Sequence, residues 1–322
     1  MKTRQIGTTD LRMPPIAFGC NVLGWTMDEK ESFEVLDKLF EMGFNYMDTA
    51  DVYSRWIDDH EGGESERVLG KWMKSRGLRD KIIVATKVGM DVGQGSIDLS
   101  KSHIKKQIDA SLKNLQTDYV DFYFSHKYDE STPVAETLET YAQLQKEGKL
   151  RHIAASNFPM EKFKESVEYS KEHSLPSYQI YQPEYSLLNR IDFEKEYQEY
   201  VMKNDISITN YWALANGFLT GKYESKEDIK GTSRANNLEQ YFTERGERIL
   251  HSLKIISEQT GISQAGVTIA WTMAQPGITA PIVSATKKSQ LKAFEEAVQT
   301  ELSEDQITVL NNASIKHEED DI

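Results

Sequence analysis

The feature that most constrains the fold is an alternation. Short β-branched or aromatic runs are each followed by an amphipathic helical stretch, and the units are evenly spaced over the 322 residues. The strand candidates are Pro15–Phe18, Tyr46–Asp48, Ile82–Lys87, Val120–Ser125, His152–Ala155, Ser177–Tyr181, Ser207–Asn210 and Ala280–Val283. Glu29–Met42 reads as a helix with Phe33, Leu36 and Phe40 on one face and Gly43 as its cap. Ser102–Leu115 places Ile104, Ile108, Leu112 and Leu115 together. Val134–Lys146 does the same with Val134, Leu138 and Tyr141, ahead of Gly148. Ser303 and Gln306 have the spacing of a capping box. Strands that each lead into a helix predict a parallel sheet with crossover helices. Even spacing favours a closed (β/α)8 TIM barrel over an open doubly wound sheet. So does Phe18–Gly24, which lacks the glycine-rich turn of a dinucleotide-binding half. Met1–Pro14 reads as a hairpin with Gly7 near its turn, closing the bottom of one barrel domain. Long loops would carry the site, and Ala215–Gln240 is the longest stretch without a pattern. The acidic tail, His317–Ile322, is expected to fray.

A net charge of −13 argues against nucleic acid and anionic membrane as partners. The one cysteine, Cys20, forms no internal disulfide and fits a reducing compartment. No apolar run suits a signal peptide or a membrane span, so a cytoplasmic location is expected. The one basic patch that offers a phosphate partner is Lys287–Lys288 with Lys292.

Barrel chemistry sits at the C-terminal ends of the strands. Asp48 and Lys87 end two strands, Tyr53 follows in a loop, and His126 follows a third strand. Each has an ordinary reading alone: a cap, a packing aromatic, a structural ion pair, a core histidine. Together they suit carbonyl reduction. Hydride arriving at a carbonyl carbon puts negative charge on oxygen, which needs a proton donor. Tyrosine starts near pKa 10, and a neighbouring ammonium lowers it. Lys87 is the candidate ammonium, Asp48 its counter-ion, and His126 a hydrogen-bonding partner for the carbonyl oxygen. The spacing holds no HxxxH or CxxC pattern, so no metal is expected.

The run Asn45–Tyr53 (NYMDTADVY) resembles the aldo-keto reductase signature. So do Glu61–Glu66 with Leu69-Gly70, Val84–Lys87, Tyr119–Tyr123 leading to His126, Gly148–Ile153 with Ser156–Phe158, Gln182–Arg190 and Phe218–Tyr223. The resemblance runs from Gln5 to about Ala313 and implies an enzyme that reduces aldehydes or ketones with a nicotinamide cofactor. It implies Asp48, Tyr53, Lys87 and His126 as the catalytic tetrad, with Tyr53 the general acid. It implies Ser156, Asn157 and Gln182 at the nicotinamide carboxamide and Tyr211 stacked on the ring. Cys20, Asn21, Asp48, Trp212, Ala213, Leu214, Asn216, Lys222 and Arg234 complete the expected cofactor contacts. Trp25 and Trp56 are the expected walls of the substrate pocket.

Two departures stand out. Trp212-Ala213-Leu214 replaces the Ser-Pro-Leu of many relatives. Where relatives carry a basic phosphate clamp and an adenine contact, this chain has Ser284, Gln290 and Phe294, leaving Lys287 with Thr286 as the phosphate candidates. NADP(H) is therefore favoured, with NAD(H) open. Two other readings share parts of this pattern. Some relatives are cofactor-sensing subunits of membrane channels, although an N-terminal inactivating extension is not expected here. A barrel lyase or isomerase conflicts with Ser156-Asn157-Phe158 and Gln182. Oligomeric state and physiological substrate are not legible.

Overall fold

The computed structural model describes residues 1–232 and 235–317. A two-stranded antiparallel hairpin, β1 (Arg4–Gln5) and β2 (Arg12–Met13), precedes eight parallel strands. These are β3 (Ala17–Gly19), β4 (Tyr46–Asp48), β5 (Ile83–Val88), β6 (Val120–Ser125), β7 (Leu150–Ser156), β8 (Tyr178–Gln182), β9 (Ser207–Ile208) and β10 (Ile282–Val283). They pair in chain order, and β10 returns to β3. Beyond the paired strand residues, the Ala280 N–H donates to the Ile208 carbonyl (3.0 Å) and the Ile282 N–H to that of Asn210 (2.8 Å). These bonds join the last two strands and close the (β/α)8 barrel.

The helices around it are α1 (Glu29–Glu41), α2 (Glu64–Arg76), α3 (Lys101–Leu115), α4 (Val134–Lys146), α5 (Met160–Glu172), α6 (Gln198–Lys203), α7 (Ala235–Leu238), α8 (Glu244–Thr260), α9 (Gln264–Ala274), α10 (Lys292–Gln299) and α11 (Glu304–Ala313). Local chemistry sets several boundaries. Asp28 and Glu31 form a capping box on α1, and Ser303 and Gln306 form one on α11. Gly43 and Gly148 both adopt positive φ just after their helices. The buried face of α1 is Ser32, Val35, Leu36 and Leu39, rotated from the expected one; Phe33 and Phe40 are half-buried at its edge. Gly70 lets α2 approach α3, because a Cβ there would lie 2.6 Å from the Leu115 carbonyl carbon.

The interior has two layers. Ile6 and Met13 of the hairpin pack with Tyr46, Ala85, Phe122, Phe124, Ala154 and Ile180 inside the barrel. The hairpin thus plugs the bottom. The alternate residues, such as Val84, Tyr123, Ile153 and Tyr181, face the helices. The Ala215–Gln240 stretch is not structureless. It holds 3-10 turns at Ala215–Thr220 and Glu239–Tyr241, with α7 between them. The expectation of a frayed tail falls mainly on residues 318–322, outside those described. No described helix is long and apolar enough to cross a membrane.

Candidate active site

Strand parity builds the site. Residues two positions apart on a strand share a face. The inward residues Tyr46, Ala85, Phe124, Ala154 and Ile180 are each followed two positions later by Asp48, Lys87, His126, Ser156 and Gln182. The core-facing column of each strand therefore ends in a polar side chain at the C-terminal mouth.

Lys87 is fully buried, yet all three of its donors are used. Its Nζ donates to Asp48 Oδ1, to the Thr49 carbonyl (2.8 Å) and to Tyr53 OH (3.2 Å). Asp48, 2% exposed, takes a second bond from Gln182 Nε2 at 2.9 Å. Tyr53 is half-buried, with its ring centroid 5.9 Å from that of His126. The four expected tetrad residues thus lie together.

Their titration follows from these surroundings. Burial alone would disfavour the Lys87 charge, but Asp48 and Tyr53 outweigh it and hold the ammonium above its ordinary value. Burial, reinforced by the Lys87 ammonium, drives His126 well below the usual imidazole range. The imidazole is therefore neutral, and its buried Nδ1 has no hydrogen-bond partner among the described residues. For Tyr53 the net direction corrects the expectation. Burial pushes the phenol up, and the opposing pull of Lys87 does not overcome it. The site holds a protonated phenol beside a locked ammonium, with a neutral imidazole next to it. Burial, then the Asp48 carboxylate, likewise pushes the Cys20 thiol well up. Cys20 sits in the turn after β3, and its carbonyl accepts from Ser65 Oγ (2.7 Å).

The neighbouring strand ends form a connected polar rim. Ser156 Oγ is buried and donates to the Gln182 carbonyl (2.8 Å). Asn157, in the left-handed region, donates from Nδ2 to the His126 carbonyl (3.0 Å) and accepts at Oδ1 from Tyr211 OH (2.9 Å). Gln182 Nε2 also reaches Thr209 Oγ1 at 3.5 Å. The next loop is unusual. Trp212, Ala215 and Asn216 all have positive φ, as does Gly217. A non-glycine residue there costs on the order of 1–3 kcal/mol. Ala213 is buried, Leu214 half-buried and Trp212 exposed. Asn216 Nδ2 is buried with no well-formed hydrogen bond among the described residues, and the Tyr241 phenol is a polar neighbour. A Cβ on Gly217 would lie 3.2 Å from Lys222 Nζ, so the lysine ammonium overlies bare backbone. Arg234 lies outside the described residues.

Register carries the rim on to β10. Gly19 pairs with Asp48 across β3 and β4, and Val283 pairs with Phe18. Ser284 Oγ donates to the Gly19 carbonyl (2.8 Å) and lies 2.8 Å from Asn21 Oδ1. Gln290 Oε1 accepts from the Thr286 N–H (2.7 Å), so it braces its own loop. The expected basic patch is thinner than it reads in sequence. Lys288 pairs with Glu34 and Lys292 with Glu296, while Lys287 is exposed with no ion pair among the described residues. Phe294 is buried against Phe44, so it belongs to the core.

Over Tyr53, the Trp56 ring stands at 5.7 Å and Trp25 lies edge-on to Trp56 at 5.4 Å. Sequence reasoning missed what holds this loop. Ser54 Oγ meets His60 Nδ1 at 3.0 Å, and Glu64 accepts from the N–H groups of Ser54, Glu61 and Gly62. The Glu61–Glu66 motif segment and the Asp58-Asp59-His60 run were its signals in the sequence. The Thr49 carbonyl on Lys87 left no signal at all, because every residue has a carbonyl. Among the described residues no group of three His, Cys, Asp or Glu side chains is placed to hold a metal ion.

Comparison with known proteins places the chain in a family. The Aldo/keto reductase family model matches residues 15–315. Aldo-keto reductase YhdN of Bacillus subtilis (strain 168) is 31% identical, over 97% of this chain and 94% of its own. A probable voltage-gated potassium channel subunit beta of Oryza sativa subsp. japonica is 30% identical, over 90% and 89%. L-glyceraldehyde 3-phosphate reductase of Escherichia coli (strain K12) is 27% identical, over 92% and 88%.

Proposed function

The chain belongs to the aldo/keto reductase family, and on that premise we propose that it reduces aldehydes or ketones to alcohols with NADPH, using Tyr53 as the general acid. The observation that carries this is the buried Lys87 ammonium bonded to both Asp48 and Tyr53 OH. A nicotinamide dinucleotide, when bound along these strand ends, would supply the hydride for the carbonyl carbon. The negative charge that develops on oxygen then draws the phenol proton of Tyr53. Lys87 stabilises the phenolate left behind, Asp48 offsets the ammonium, and the neutral His126 orients the carbonyl oxygen. Trp25 and Trp56 wall the carbonyl substituent. The working substrate is a small-molecule carbonyl, and the reaction is reversible.

The donor set suits a dinucleotide. Asn216 Nδ2 is a buried donor with no well-formed hydrogen bond among the described residues, beside the Tyr241 phenol, and Lys222 overlies the open backbone at Gly217. Both match a pyrophosphate. Asn157 and Gln182 would meet the carboxamide, and Tyr211 the ring. Cys20, Asn21 and Ser284 line the strand ends where the cofactor would cross. Lys287, exposed and with no ion pair among the described residues, would face the 2′-phosphate with Thr286 beside it. A single exposed charge predicts an NADPH preference over NADH of about tenfold or less.

The channel-subunit relatives favour a second reading, a cofactor-binding regulatory subunit with little turnover. The test is a fluorescence titration with NADPH and NADH, followed by absorbance loss with a generic aldehyde. Binding with turnover supports the reductase. Binding without turnover, across aliphatic and aromatic aldehydes, supports the regulatory subunit. Binding of neither nucleotide contradicts both.

A further inference from the structure

Trp212 carries two unfavourable features in the free protein. Its backbone lies in the left-handed region at φ 58°, which bulky residues avoid. The residue is 41% exposed, although burying a tryptophan is strongly favoured. Its ring contact among the described residues is with Tyr211. The indole stands edge-to-face against Tyr211, with centroids 5.8 Å apart and planes at 82°. Tyr211 is itself fixed, since its OH donates to Asn157 Oδ1 and its N–H to the Pro183 carbonyl (2.9 Å). Behind Trp212 the turn is also braced, because the Ala215 N–H donates to the Trp212 carbonyl at 2.7 Å. The two rings therefore form a right-angled aromatic corner at the mouth of β9, with one wall rigid and the other solvent-facing. A corner of this shape is complementary to a flat ring lying on Tyr211, whose edge Trp212 would cover. A flat ring filling such a corner would give the exposed indole the apolar cover it lacks, while the braced turn holds the strained backbone in place.

We propose that Trp212 is the retaining wall for the nicotinamide half of the bound dinucleotide, and that it sets how slowly the cofactor leaves. This rests on the nicotinamide-dependent reading above. A serine at this position can offer one hydrogen bond to a phosphate. An indole offers apolar cover instead, so tight binding here depends less on the phosphate contacts, which the single Lys287 makes weak.

The test uses the full chain, with bound NADPH chased by excess NADP+ in a stopped-flow fluorimeter. Trp212→Ala is expected to raise the NADPH dissociation rate about tenfold, and Trp212→Phe less than about threefold, because a smaller ring keeps part of the cover. The melting temperature without cofactor should not fall in either variant, since the indole is exposed. A merely structural role predicts that it does fall. A dissociation rate for Trp212→Ala within about twofold of the wild type would overturn the proposal, whatever happens to the carbonyl KM. Failure of the wild-type chain to bind NADPH would instead overturn the nicotinamide reading itself, and this inference with it.

Discussion

Replacing Lys87 by methionine tests the centre of the site. The side chain keeps an unbranched apolar stem, loses its terminal nitrogen and loses its charge. In the wild type the ammonium satisfies Asp48 Oδ1, the Thr49 carbonyl and Tyr53 OH in a fully buried position. Without it, the Asp48 carboxylate keeps Gln182 Nε2 as its side-chain donor and has no cation. Stranding a buried charge in this way costs about 3–5 kcal/mol. Urea unfolding should therefore show Lys87→Met destabilised by that amount. Asp48→Asn in the same chain removes the stranded charge, so the double variant should lose at least about 1 kcal/mol less than the sum of the single losses. There is also a pH signature. Lys87 is held above its ordinary value, so the native state keeps a proton that the unfolded chain releases. That contribution is complete below the unfolded lysine value of about 10.4 and is lost as pH rises through the folded value. The wild type should lose stability through that alkaline window more steeply than Lys87→Met. A Lys87→Met protein within about 0.5 kcal/mol of the wild type, or strictly additive losses, would refute the reasoning.

His126 gives the opposite pH dependence. Its folded value lies well below the ordinary imidazole, so its contribution is present above about pH 6.5 and is lost as pH falls through the folded value. His126→Gln should therefore flatten the acid limb of the melting-temperature profile, and an unaltered limb would contradict the neutral imidazole. Gly70→Ala should cost about 1–3 kcal/mol, because the new Cβ would lie 2.6 and 2.7 Å from the Leu115 carbonyl carbon and Cα, which are backbone and cannot swing aside. An unchanged melting temperature would show that α2 and α3 can separate freely.

Much of this fold was legible because the relevant signals are periodic. Each strand candidate falls on an observed strand, since an apolar run sandwiched between barrel interior and helix layer is hydrophobic on both faces. Phe122, Tyr123 and Phe124 of β6 are an example. The same parity made Asp48, Lys87 and His126 recognisable as strand-end groups. The face of α1 was misjudged because aromatic size outweighed position. Phe33 and Phe40 have the strongest apolar character, but the smaller Val35 and Leu39 fit the close contact. The phosphate patch was overread because linear sequence does not reveal that Glu34, far away in the chain, neutralises Lys288. The direction at Tyr53 was misjudged for a related reason. A neighbouring ammonium can be guessed from a motif, whereas the depth of burial that opposes it is a tertiary property.

The most direct test of the central claim is Tyr53→Phe, assayed for NADPH binding and for single-turnover reduction of an aldehyde the wild type accepts. The ring and its contacts with Trp56 and His126 remain, and only the hydroxyl that meets Lys87 Nζ is removed. The account predicts NADPH affinity within about threefold of the wild type and reduction slowed by at least about 100-fold, the scale of a lost general acid. Reduction at the wild-type rate would contradict the assignment of Tyr53 as the proton donor.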